Sequence, residues 1–88
     1  MVFYVYVLKS KKDNDLYIGS TSDLRRRLIQ HNQGKVSSTK PRRPFELVYY
    51  EAFTNERLAR MREARLKKRG NARYQLLKRI MMNTITEL

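Results

Sequence analysis

The sequence contains no cysteine and only one histidine, His31. Without cysteine, neither a disulfide framework nor a thiolate metal site can form, and a single histidine cannot complete a structural zinc centre. Any bound metal must therefore be held by oxygen ligands. Acidic residues that could supply such ligands are few, with 8 Asp and Glu in 88 residues.

Long apolar runs are also missing. The stretch Val2 to Leu8 is too short to cross a bilayer, and it has neither a preceding basic region nor a small-residue cleavage site. These absences predict a cytoplasmic protein without a membrane partner. A chain of 88 residues with 41% hydrophobic content predicts one small domain, residues 1–88, around a single modest core.

Positive charge is what the sequence has in excess. Its 20 Lys and Arg residues leave a net charge of +12 and a pI near 10.5. So large a charge on so short a chain favours nucleic acid as the partner over an anionic membrane. The residues expected to contact a nucleic-acid backbone are Arg25, Arg26, Lys35, Lys40, Arg42, Arg43 and Lys67.

Hydrophobic periodicity predicts an α+β fold in the order β-β-α-β-α-α. Val2 to Leu8 is apolar on both faces, which is typical of a central strand, and Leu16 to Gly19 is expected to pair with it as an antiparallel hairpin. The remaining predicted elements are a helix over 24–32 that ends at Gly34, an exposed basic loop over 35–44, a strand over 45–53, a helix capped by Thr54 that reaches Arg69, and a last helix with the apolar stripe Leu77, Ile80, Met81 and Ile85.

The hairpin and the first helix can gather several polar side chains. Alternation places Tyr6 on one face of its strand, and it places Tyr17 and Gly19 together on one face of the next. Arg27 and His31 are four residues apart, which puts them on one helical stripe. Taken singly, each has an ordinary explanation: a core ring, a solvated basic face or an incidental histidine.

Read together, the residues resemble the GIY-YIG nuclease superfamily, and especially its small stand-alone bacterial-type members. Tyr4-Val5-Tyr6 stands for the first motif and Tyr17-Ile18-Gly19 for the second, and Arg27, His31 and Glu63 follow at matching positions. The resemblance covers nearly the whole chain.

The resemblance implies a small three-stranded antiparallel sheet flanked by helices and hydrolysis of phosphodiester bonds in DNA with one Mg²⁺ or Mn²⁺. Glu63 would be the metal ligand, and Arg27 would face the scissile phosphate. Tyr6 and Tyr17 would position or deprotonate the attacking water, with His31 assisting.

Two positions depart from the family pattern. Tyr4 stands where the first motif has glycine, and Ser20 stands where many relatives have a lysine, which argues against a lysine-based proton relay. A late amide side chain contributes in some relatives, and Asn71 and Gln75 are both candidates. The general base is also open. A tyrosine needs nearby positive charge to lower its pKa, whereas a histidine ordinarily titrates near pH 6.5.

Two functions are compatible with this pattern. The intact set of Tyr, Tyr, Arg, His and Glu favours a metal-dependent DNA endonuclease that is directed by nucleic-acid structure rather than by sequence. The alternative is a nucleic-acid-binding module of the same fold that lacks catalysis or needs a protein partner. RNA is not excluded, because attraction to phosphate does not distinguish RNA from DNA.

Overall fold

A computed structural model describes the backbone of residues 1–86 and the side chains of residues 1–81. Its elements are β1 (Phe3–Ser10), β2 (Leu16–Thr21), α1 (Leu24–Asn32), a short 3₁₀ helix (Lys40–Arg42), β3 (Phe45–Phe53), α2 (Glu56–Lys67) and α3 (Asn71–Thr86). The predicted α+β class and the order β-β-α-β-α-α are confirmed. The predicted stripe position Ile85 lies outside the described side chains.

The three strands form one antiparallel sheet in the order β2-β1-β3, so β1 is central as its two apolar faces predicted. Tyr6 pairs with Gly19 on one side and with Tyr50 on the other. Both hairpin strands run two residues further than expected, because the pairs Tyr4 with Thr21 and Lys9 with Leu16 continue the ladder. A register shift beside Val7 and Leu8 marks a bulge in the pairing with β3.

Each face of the sheet is covered by helices. Val5, Val7 and Ile18 pack with residues of α2 and α3, including Leu66 and Leu76. The opposite face is covered by α1 and carries a second cluster of Tyr6, Leu8 and Phe45, packed against Leu24 and Leu28. β2 is an edge strand between these two layers, so residues from both can meet along its free edge.

Two predictions about the ends of α2 are wrong. α2 is capped by Asn55, whose side chain accepts a hydrogen bond from the Leu58 amide, and Thr54 lies one residue too early to do so. α2 ends at Lys67 rather than at Arg69, since the backbone at Lys68 is extended. The Arg73 guanidinium satisfies one carbonyl of the last turn, that of Leu66, at 3.1 Å.

The segment 35–44 is not the uniformly exposed loop that was predicted. Thr39 is fully buried. Arg42 lies over the Phe45 ring and donates two hydrogen bonds to the carboxylate of Asp13, at 2.7 and 3.3 Å. The Ser10 hydroxyl also bonds the Arg42 carbonyl at 2.5 Å. This part of the loop is therefore tied to the first hairpin. Among the described residues, no helix is long and apolar enough to cross a membrane.

Candidate active site at the edge of the sheet

Tyr6 lies across Gly19 on the neighbouring strand. A Cβ atom built at Gly19 would be 2.5 Å from the Tyr6 hydroxyl and 2.7 Å from the ring carbon that carries it. Real Cβ atoms do not approach other atoms so closely, so glycine is what allows the ring to cross β2. The Tyr6 side chain is only 1% exposed in this position.

His31 is held between Tyr6 and the loop that follows α1. Its Nε2 lies 2.9 Å from the Tyr6 hydroxyl, and its Nδ1 lies 2.7 Å from the Thr39 hydroxyl. Thr39 donates its own proton to the Val36 carbonyl at 3.3 Å, which leaves its oxygen to accept from His31. This pattern assigns the proton of the neutral ring to Nδ1 and makes Nε2 the acceptor for Tyr6.

Burial controls the protonation of this pair. It lowers the pKa of His31 to about 4, and the positive charge of Arg27 adds to the effect. Burial also raises the pKa of the Tyr6 phenol, although Arg27 acts in the opposite direction. Arg27 thus acts on the Tyr6 pKa in the direction that the sequence suggested, but burial outweighs it and the pKa is raised. At neutral pH both groups are uncharged.

Tyr17 and Arg27 complete the cluster on this face. The Tyr17 ring lies 5.0 Å from the His31 ring and 6.4 Å from the Tyr6 ring, measured between centroids. Unlike Tyr6 and His31, both Tyr17 and Arg27 are only partly buried. The structure thus brings together the four residues that the periodicity of the hairpin and of α1 predicted. Tyr6 and His31 lie beneath the surface, and Tyr17 and Arg27 reach it.

Glu63 approaches the same edge from the other layer. One carboxylate oxygen accepts a hydrogen bond from Ser20 at 2.5 Å, and the other is paired with Lys67 at 2.7 Å. Burial would raise the pKa of Glu63, but the hydrogen bonds from Lys67 and Ser20 and the positive charges of Lys67 and Arg60 together lower it. Glu63 is therefore ionised at neutral pH. The ordinary ion pair with Lys67 expected for this spacing is present.

A cavity of about 410 Å³ lies in front of Glu63. No group of three His, Cys, Asp or Glu residues that could hold a metal occurs in the described part of the chain. One carboxylate with neighbouring hydroxyls nevertheless fits a hard cation such as Mg²⁺, which takes most of its ligands from water and substrate. The polar residues that line the cavity are Ser20, Thr21, Ser22, Glu56, Arg60 and Glu63.

The residues predicted to contact nucleic acid fall into two groups. Arg42 and Lys67 are engaged in ion pairs within the protein, with side chains 27% and 51% exposed. The others are exposed and are Arg25, Arg26, Lys35, Lys40 and Arg43. Of the two late amides, Asn71 begins α3, and Gln75 lines a different cavity beside Tyr49 and Arg62.

Sequence reasoning assigned no role to two residues that contact the cluster. Ser20 was detectable, because alternation puts it with Ile18 on the face toward α2, opposite Gly19. Thr39 was marked only by the resemblance to the small stand-alone members of the family, and no periodicity predicted its contact with His31. It reaches His31 through the fold of an irregular loop, and no periodicity relates two positions across a loop.

Fold and site together define a small α+β protein with Tyr, Arg, His and Glu side chains gathered at one edge of its sheet. The model of the GIY-YIG catalytic domain matches residues 2–75, and the chain belongs to this family. The resemblance drawn from the two tyrosine motifs is thereby confirmed.

Several relatives are small proteins named UPF0213. One from Bacillus pumilus is 49% identical over 65 residues, which are 73% of this chain and 65%, just under two thirds, of that protein. Another from Clostridium perfringens is 45% identical over 76 residues, covering 84% of this chain and 81% of that one. The solution NMR structure of a UPF0213 protein from Bacillus halodurans is similar over 91% of this chain and 85% of its own, with 34% identity and a TM-score of 0.55. These names state no activity.

Proposed function

We propose that this protein is a metal-dependent endonuclease that hydrolyses phosphodiester bonds in DNA and recognises nucleic-acid structure rather than sequence. The observation that carries the proposal is the meeting of two layers at the β2 edge. Tyr6, Tyr17 and His31 come from one face of the sheet, and the ionised Glu63 comes from the other through Ser20.

The side chains divide by their exposure. Tyr17 is the phenol at the surface, and we assign it the contact with the attacking water. Tyr6 and His31 form the buried support beneath it, and the absence of an exposed ring nitrogen argues against His31 as the direct base. Arg27 would neutralise the negative charge that develops on a phosphate oxygen during hydrolysis, as guanidinium groups do.

Glu63 is the residue that would hold Mg²⁺ or Mn²⁺. When bound, the ion supplies Lewis-acid activation of water and phosphate. The ion would replace Lys67 at the Glu63 oxygen that Lys67 now contacts. The Lys67 side chain is 51% exposed and has room to move away. Once released, Lys67 is available to a DNA phosphate.

DNA binding is assigned to the exposed basic residues of α1 and the loop that follows it. They add attraction for the phosphate backbone, whereas base-edge readout needs side chains fitted to a groove. Because attraction to phosphate does not distinguish DNA from RNA, an RNA of the same sequence should be measured beside the DNA.

A binding module without catalysis is the second candidate. It is favoured by one observation, namely that Ser20 and Lys67 occupy both oxygens of Glu63. The test is incubation of labelled flapped DNA with Mg²⁺ or Mn²⁺ and with chelator. Cleavage that the chelator abolishes supports the endonuclease. Tight binding without cleavage under every metal condition supports the module.

A further inference from the structure

A second cavity, of about 470 Å³, opens on the same face of the sheet as Tyr6. It lies between β1, β3 and the first turns of α1. Of the residues that line it, only Arg25 has a role in the function proposed above. Its principal lining residues are Tyr4, Leu24, Arg25, Leu28, Leu47 and Tyr50.

Two tyrosines form one wall of this cavity. Tyr4 and Tyr50 meet edge to face, with ring centroids 5.9 Å apart and ring planes at 67°. Tyr50 remains 54% exposed, although it belongs to β3 and lies on the face of the sheet that α1 covers. An exposed aromatic ring held by a second ring is a rigid flat surface, and such surfaces stack well with nucleobases.

The position of the cavity relates it to the proposed site. Tyr50 is the cross-strand partner of Tyr6 on β3, and Tyr4 is two residues before Tyr6 on the same face of β1. Two strand residues span about 7 Å. The Tyr6 ring lies toward Gly19 on β2, away from β3, so Tyr4 and Tyr50 form this wall of the cavity.

The other walls suit a nucleotide. Leu24, Leu28 and Leu47 provide an apolar floor. Arg25 is exposed at the rim and can meet a phosphate. Asp23 also lines the cavity, but its carboxylate accepts the Arg26 amide at 3.1 Å as the cap of α1.

We propose that this cavity holds one unpaired base of single-stranded DNA, stacked on the Tyr50 ring that Tyr4 supports edge to face, beside the bond that is cut. The proposal rests on the proposed function for its placement next to a scissile phosphate. It names the substrate class: a single strand or a flap, in which a base is free to enter, rather than a continuous duplex. In a duplex the base would first have to be unstacked, which costs free energy.

Binding measurements in chelator test the proposal without requiring cleavage. The probes are a 20-nucleotide single strand and a blunt duplex of the same length, both fluorescently labelled. We expect Tyr50→Ala to weaken single-strand binding about tenfold and to leave duplex binding unchanged, because loss of a stacking ring affects only an unpaired base. Tyr50→Phe keeps the ring and should bind like the parent.

Tyr74 provides the matched control. It is an exposed tyrosine, 61% accessible, on α3 rather than at the cavity. Tyr74→Ala should leave both affinities unchanged. Equal losses for single strand and duplex in Tyr50→Ala, or no loss at all, would overturn the proposal. It would also be overturned if the parent were a dimer that Tyr50→Ala converts to a monomer in sedimentation, since the cavity would then be an interface between copies.

The stacking site and the endonuclease activity can be refuted independently of each other. A parent that cuts DNA while Tyr50→Ala binds single strands normally would refute the stacking site and keep the endonuclease. A parent that binds single strands through Tyr50 but never cuts would refute the endonuclease and keep the stacking site.

Discussion

Gly19 is required at its position because the Tyr6 ring occupies the space of its missing side chain. We expect Gly19→Ala to destabilise the fold by about 1–3 kcal/mol, as overpacked core positions do, and to lower cleavage by displacing Tyr6. Chemical denaturation and the flap assay measure the two effects. The same substitution in a Tyr6→Phe background should cost less, because the closest clashing atom has gone. Equal costs in both backgrounds would show that the Tyr6 hydroxyl is not the atom that causes the clash.

His31 gives the protein a pH dependence whose sign follows from its environment. The folded pKa of about 4 is below the ordinary value of 6.5, so between these values the unfolded chain binds more protons than the folded one. Stability must therefore fall as the pH is lowered from about 6.5 to about 4, and this loss levels off below that range.

The experiment compares unfolding free energies of the parent and of His31→Asn across pH 4 to 6.5. The parent should lose on the order of 2 to 3 kcal/mol through this group, and the variant should show a shallower slope from a lower starting stability. Since His31 is the only histidine in the sequence, no other imidazole titrates in this range. Parallel slopes would mean that the folded His31 is not protected from protonation.

The loop after α1 divides into residues that hold the fold and residues free to hold DNA. Arg42→Ala should lower the thermal unfolding midpoint by several degrees, because it removes the contacts with Asp13 and Phe45. Lys35→Ala with Lys40→Ala should leave the midpoint unchanged and weaken DNA binding. Calorimetry and an affinity titration at one salt concentration separate the roles. A double variant that binds as tightly as the parent would place the DNA on another surface.

The sequence could predict a contact between two side chains where strand or helix periodicity related their positions. Period-2 alternation was sufficient to place Tyr6 and Gly19 on one face, and period-3.6 spacing brought His31 back to them. The Thr39 contact and the pairing of Arg42 with Asp13 depend on the tertiary path of a loop. No local pattern encodes that path, so the predicted exposed loop was wrong at these positions.

The +12 charge of the whole molecule comes from its excess of Lys and Arg over Asp and Glu. DNA binding should release condensed counterions, so log affinity should fall steeply and linearly with log salt concentration. Duplexes of different sequence should give the same slope within error. Titrations at four salt concentrations on two unrelated sequences measure this. A flat dependence would contradict electrostatic binding to DNA.

Cleavage by Glu63→Gln tests the central claim most directly. The change removes the charge that would hold the metal but keeps the shape of the side chain and its contact with Ser20. Glu46→Gln makes the same charge change at an exposed position on β3. On one flapped DNA in Mg²⁺, we expect Glu63→Gln to cut at least about a hundredfold more slowly than the parent while binding equally well or better, and Glu46→Gln to cut normally. A Glu63→Gln protein that cuts at the parental rate would contradict the account.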